Sequence, residues 1–278
     1  MMDIDHASFE AEVQAAGDNI SPARAGLLFA REIAYPDLRP SDYVTRLDAL
    51  ATHAAEALAP QIAPRARSLA LARWLFHSGA FRGDEHNYTD PRNAYLNDVL
   101  DRYLGLPISL SVIYLEIAHR LNLPVVGVGL PGHFIVAVTG DEGPIYLDPF
   151  HHGDVLTEAD CRRLVEAASG RTGRFDRRWL LPTPPPQIVA RMLSNLRNFY
   201  MRVEDWALAV ATVEKLRVLQ PDVVTHLRDL GILLYRAGYP SRATHYLDQY
   251  LALHPDADDG EAVRQSRDRL VEHLARLN

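Results

Sequence analysis

Residues 104–157 read LGLPISLSVIYLEIAHRLNLPVVGVGLPGHFIVAVTGDEGPIYLDPFHHGDVLT, and this stretch decides the fold. After Gly105 and Pro107 comes a run in which Ile108, Leu110, Val112, Ile113, Leu115 and Ile117 leave almost no polar face. Proline pre-sets the first turn of a helix. The run therefore predicts a helix over 107–121, apolar nearly all round and so buried. Two β-branched runs follow, VVGVGL and HFIVAV, separated by Pro131-Gly132; PIYLDPF comes after the turn residues GDEG at 140–143. They predict strands over 124–130, 133–138 and 144–148 in a meander. One buried helix leading into consecutive strands is the order of an α+β fold.

Working upstream, the first eighty residues carry helical apolar spacing. Ser21-Pro22 supplies an N-cap and a first-turn proline ahead of AGLLFAREIA, and Tyr35-Pro36 stops that helix. Two more helices are expected, one from about Ser41-Asp42 and one over 66–76. The segment GDEHNYTDPRN (83–93) is polar, turn-rich and without period, the kind of long loop that often carries function. Asn87, Asp90 and Asn93 lie in it and are candidate substrate or cleft residues. Their plainer reading is Asx-turn and N-cap chemistry, with Asn93 capping a helix over 93–103.

Downstream, a shift of 34 residues superposes Leu193 on Leu227, Leu196 on Leu230, Ala209 on Ala243, Val213 on Leu247 and Pro221 on Pro255. This period resembles the tetratricopeptide (TPR) repeat, in which small residues let paired helices approach closely. Gly231 fits the pattern, whereas the first unit has Arg197 there. Repeats span about 190–223 and 224–257. Two repeats alone expose apolar ends, so a capping helix should follow. Between the core and the repeats, residues 170–187, with the arginine-rich run 171–178 and Pro184-Pro185-Pro186, read as a stiff boundary.

Charge and cysteine content narrow the function classes. The chain has 29 Lys and Arg against 36 Asp and Glu, a net of −7, which argues against a nucleic-acid partner. Its one cysteine, Cys161, precludes an internal disulfide framework and a zinc site built on several thiolates. The start, MMDIDHASFE, is acidic and lacks the apolar stretch of a secretory signal. No apolar run is long enough to span a bilayer. The expectation is a soluble cytoplasmic protein with no membrane contact.

The candidate chemistry lies between Asn87 and Asp148. Ser109 sits in the first turn of the buried helix, His133 opens the second strand, and Asp148 ends the third. That is the layout of a nucleophile, a base and an orienting acid. A helix N-terminus stabilises a thiolate far more than it activates a hydroxyl. The layout is present here with serine in place of the stronger nucleophile. Ser109 has an alternative role in bonding the backbone of its own helical turn, and His133 with Asp148 could be a structural pair. Cys161 lies in or beside a helix starting near Thr157. No metal or other cofactor is expected, because His151 and His152, adjacent in extended chain, point opposite ways.

NYTDPRNAYLNDVL (87–100), LGLPISLSVIYLEIAHRL (104–121), VGLPGHFIVAV (128–138) and YLDPFHHGDVLT (146–157) together resemble the SirB-type transglutaminase-like family, whose members carry TPR repeats C-terminally. The resemblance implies a papain/transglutaminase-like core, a helix packed on an antiparallel sheet. It also implies a Cys–His–Asp arrangement in active relatives. His133 and Asp148 match two of those positions, and the cysteine position falls at or next to Ser109. The expected organisation is a transglutaminase-like domain over 1–181 (helical N-terminal bundle, core about 87–168) and an all-α TPR segment over 188–278. Two functions stay open for a bacterial protein of this kind. One is a degenerate or weak Ser-based hydrolase or acyltransferase whose TPR part recruits a protein or peptide partner. The other is a non-catalytic scaffold.

Overall fold

The computed structural model describes residues 4–58, 63–77, 80–169 and 175–277. The chain divides into two units, residues 1–192 and 193–278.

The first unit begins with helices whose starts the sequence encodes. In α1 (Phe9–Ala16) Ser8 accepts the Ala11 amide, and in α2 (Pro22–Ile33) Ser21 accepts the Arg24 amide with Pro22 in the first turn. These side chains satisfy amides that a helix leaves orphaned. The α3 helix (Pro40–Ala57) starts one residue before the expected Ser41. Ser41 is held instead by Asp5, which accepts both its amide (2.9 Å) and its hydroxyl (2.6 Å). The α4 helix (Pro64–Ala72) runs into a wider turn over Arg73–His77.

A two-residue strand β1 (Arg82–Gly83) pairs in parallel with β2 (Leu104–Gly105), closing the loop between them. Within that loop a 3-10 turn (Pro91–Asn93) precedes α5 (Leu96–Arg102). The helix expected over 93–103 is therefore shorter, and Tyr95, not Asn93, stands at its N-cap. The α6 helix (Pro107–Arg120) is the buried helix of the sequence reading, with Leu110, Ser111, Tyr114, Ile117 and Ala118 completely or almost completely enclosed.

The sheet is a four-stranded antiparallel meander in the order β3 (Val125–Leu130), β4 (His133–Val138), β5 (Ile145–Asp148) and β6 (Asp154–Leu156). Leu130 pairs with His133 across Pro131-Gly132. Gly132 has φ +75° with proline before it, the residue pattern of a type II turn. A Cβ there would also fall 2.2 Å from Ala168 Cβ, so glycine is required twice over. Strand β6 pairs Asp154 with Asp148; its three residues carry too little alternation to be read from sequence.

Helix α7 (Glu158–Ser169) covers one sheet face, where Cys161 and Val165 cluster with Val128, Leu130, Ile135 and Ala137. Trp179 and Leu180, in the 3-10 turn Arg177–Leu180, pack on the same cluster. The segment after them continues the sheet edge. Val128 bridges to Pro182, the Thr183 amide donates to Gly127 O (2.8 Å), and Gly129 N–H donates to Thr183 Oγ1 (2.8 Å). The expected stiff boundary is thus in part a docked strap. Its proline triplet opens α8 (Pro185–Arg202), since proline lacks only an amide that the first turn does not use. Residues 170–174 of the arginine-rich stretch lie outside the described residues.

In the second unit α9 (Trp206–Leu219), α10 (Thr225–Arg236), α11 (Pro240–Leu253) and α12 (Gly260–Leu277) follow the tail of α8. Ala209 and Ala243 have no exposed surface, as the repeat requires. A Cβ on Gly231 would lie 2.4 Å from Leu247 Cδ2, so the α10–α11 contact depends on that glycine. The α12 helix buries Val263 and Leu270 in the manner of a cap.

Candidate functional site

Ser109 sits where a helix-start nucleophile would, but its hydroxyl is engaged locally. The Oγ atom accepts the Leu106 N–H (2.9 Å) and donates to Asn93 O (2.6 Å), with Leu106 O at 3.1 Å. The first bond is half of a capping box, in which the third helical residue reaches back to the N-cap amide. A Cβ on Gly105 would come within 2.8 Å of this oxygen, so the glycine makes room for the arrangement. Ser109 is completely buried. Ser111 is equally buried and its Oγ has no partner among the described residues. No hydrogen bond among the described residues joins either serine to His133.

His133 and Asp148 are brought together. Period-2 alternation puts His133 on the face of Ile135 and Ala137, and the β4–β5 register (Val136 opposite Leu147) sets Asp148 diagonal to it. The Nε2 atom of His133 lies 2.8 Å from Asp148 Oδ2. A second imidazole shares that oxygen: His151 Nδ1 is also 2.8 Å from it. Oδ1 of the same carboxylate accepts the Phe150 amide (3.0 Å) and the His151 amide (3.4 Å). Because an ionised carboxylate only accepts, both ring nitrogens facing Oδ2 carry hydrogens in this arrangement. Burial presses the Asp148 carboxyl upward, but the bonds from His133 and His151 and their charges outweigh it and hold the group well below the usual carboxylate range. The bond to Asp148 raises His151, against a smaller opposing effect of burial.

The sequence alone sets His151 aside as a partner of His133 on the premise of an extended chain at 151–152, whereas residues 151–153 turn, His152 has φ +54°, and the Gly153 amide returns to Asp148 O (2.8 Å). The turn folds His151 back three residues onto the carboxylate, its ring stacked on that of His133 (25° between planes, centroids 5.8 Å apart). The available signal was the spacing: a histidine three residues after an aspartate that ends a strand. Phe150 sets its ring edgewise to both imidazoles and to Tyr88. The Arg191 guanidinium donates to Leu130 O (2.6 Å) and His133 O (2.7 Å), fixing the turn that leads into His133.

The three loop candidates separate. Asn93 is completely buried; its Nδ2 donates to Asp84 Oδ2 (3.1 Å) and Asn87 O (2.8 Å). These bonds use its side-chain amide to hold the loop together. Asp90 caps the 3-10 turn through the Arg92 amide (2.9 Å), and Asn87 is exposed with its own amide donating to Asp84 Oδ1 (2.9 Å). Cys161 lies in the sheet–helix core with no exposed surface, and burial pushes its thiol up to about 11.

Residues 41–194 match the transglutaminase-like superfamily, and residues 196–267 match the tetratricopeptide repeat. The chain therefore belongs to the transglutaminase-like superfamily, with a tetratricopeptide segment after that domain. More particularly, it is similar to bacterial UPF0162 proteins. It is 34% identical over 241 residues to that of Xylella fastidiosa (strain Temecula1), covering 86% of this chain and 85% of the relative. To that of Vibrio cholerae it is 29% identical over 170 residues, 61% of this chain and 63% of the relative. Human F-box only protein 21 is 36% identical over 99 residues, 33% of this chain but 16% of that protein. No solved structure matches the chain. No helix among the described residues is long and apolar enough to cross a membrane.

Proposed function

We propose that this chain is a non-catalytic interaction protein: the tetratricopeptide segment binds a protein or peptide partner, and the transglutaminase-like core adds a recognition surface without forming an acyl-enzyme. The observation that carries this reading is the engagement of Ser109 Oγ by Leu106 N–H and Asn93 O, which leaves its one hydrogen facing a carbonyl and not a base. Cys161 offers no substitute, since a thiol pushed up to about 11 is almost entirely protonated at neutral pH. Stacked helical repeats are suited to extended peptides.

A Ser-based hydrolase or acyltransferase is the second reading, supported by the His133–Asp148 pair at 2.8 Å. Serine- and cysteine-directed electrophiles separate the two. With the intact native chain, peptide mapping should find no adduct at Ser109. An adduct at Ser109 that disappears in His133→Ala would establish the hydrolase reading and overturn ours.

A further inference from the structure

Three potential metal ligands converge at the mouth of the sheet. His133 Nε2, Asp148 Oδ2 and His151 Nδ1 all lie within 4.8 Å of one another. Both imidazole nitrogens are 2.8 Å from the carboxylate oxygen. Divalent transition metals bind nitrogen and oxygen at about 2.0–2.1 Å, which puts neighbouring ligand atoms on one ion about 3 Å apart. The two observed N···O spacings are thus near the edge of such a coordination shell before any ion enters.

We infer that His133, Asp148 and His151 form a binding site for a divalent transition cation of the zinc or ferrous type. Two imidazoles and one carboxylate are the donor set of open zinc sites and of the facial iron triad, both of which leave positions for water or a ligand oxygen. Imidazole donors disfavour magnesium and calcium, which take oxygen. Part of the support that metal ligands need is also in place, on the carboxylate and on the backbone that carries His133. Asp148 Oδ1 is held by the Phe150 and His151 amides, and the chain at His133 is held through its carbonyl by Arg191. His133 stands on a strand and is 9% exposed, and Asp148 is fully enclosed. His151, in the turn, keeps 43% of its side chain open to solvent and provides the entry path. The ion would take the place of the two hydrogens that the nitrogens now aim at Oδ2, each neutral imidazole carrying its hydrogen on the other ring nitrogen instead and any imidazolium releasing its extra proton to solvent.

This site is independent of whether Ser109 is a nucleophile, and its test reads metal occupancy, which electrophile labelling does not touch. The whole 278-residue chain, stripped with chelator, is titrated with Zn2+ by calorimetry and with Co2+ by visible absorption. The expected result is one ion per chain, ligand-field bands from Co2+, and a metal-dependent rise in the melting temperature. His151→Ala, a half-exposed position at which folding can be checked by circular dichroism, should weaken binding by at least about tenfold and abolish that rise; losing a supporting contact alone costs about 10–100-fold. Asp148→Asn should do the same. His152→Asn, next door but outside the cluster, should bind as the parent does. Absence of binding by the parent chain, or equal binding by folded His151→Ala, would overturn the inference and leave Asp148 as a bridge between two histidines.

Discussion

Gly231→Ala tests whether the second unit is held as its repeat implies. The new Cβ would stand 2.4 Å from Leu247 Cδ2, 2.6 Å from Leu247 Cγ and 3.2 Å from Ala243 O. Leu247 is 1% exposed and Ala243 fully buried, and a cavity lined by Gly231, Leu247 and Leu270 gives the leucine side chain only part of the room it needs, while the Ala243 backbone has little freedom to shift. The Cγ contact is about 1 Å inside ordinary packing distance, which argues for the upper part of the overpacking range of about 1–3 kcal/mol. Against this, Ala gains about 1 kcal/mol over Gly in a helix interior. The net expectation is a loss of about 1–2 kcal/mol in urea unfolding followed by circular dichroism, with faster hydrogen exchange confined to α10 and α11. In a Leu247→Ala background the obstructing leucine atoms are gone and only Ala243 O stays close, so Gly231→Ala should become neutral or stabilising by up to about 1 kcal/mol. A stabilised single variant would refute the close α10–α11 packing.

Burial holds the His226 imidazole below its ordinary value, so the folded chain favours the neutral ring. Its share of stability is full above the unfolded value of about 6.5 and is lost as pH falls through the lower folded value; urea midpoints should drop on acidification, and less so in His226→Leu. The Cys161 thiol, pushed up to about 11 by burial, should resist iodoacetamide in the native chain at pH about 8 and react at once in denaturant. Asp84 accepts from the Asn87 amide, Asn93 Nδ2 and Arg102, and it pins the 83–93 loop. Asp84→Ala should cost about 1–3 kcal/mol by leaving buried donors unpaired, with proteolysis beginning in that loop.

Where the sequence carries strong periodicity or punctuation, the architecture was legible. The all-round apolar run gives α6, Pro131-Gly132 separates β3 from β4, and the 34-residue repeat with Gly231 and paired alanines gives the helical hairpin. Short elements defined by partners elsewhere were not. Strand β6 exists through its pairing with β5, and the strap at 182–183 through backbone bonds to Gly127 and Gly129. At the site, His133 beside Asp148 follows from alternation and register. His151 depends on a tight turn with positive φ at His152, which a histidine pair does not advertise. The bond from Ser109 to Asn93 O spans sixteen residues and joins a loop to a helix start, a contact no local pattern encodes.

The central claim is that the Ser109 hydroxyl is a structural tie and not a nucleophile waiting for a base. Chemical denaturation of Ser109→Ala tests it most directly. The substitution removes the 2.6 Å donor to Asn93 O and one of two acceptors for Leu106 N–H, whose other acceptor, Asn93 O, stays at 3.0 Å. The account predicts a loss of about 0.5–1.5 kcal/mol, the net worth of one buried hydrogen bond, because Asn93 O still accepts from Leu106 N–H. Hydrogen exchange should quicken at the start of α6. A Ser109→Ala chain as stable as the parent, or more stable, would contradict the account and return Ser109 to the role of a reactive group.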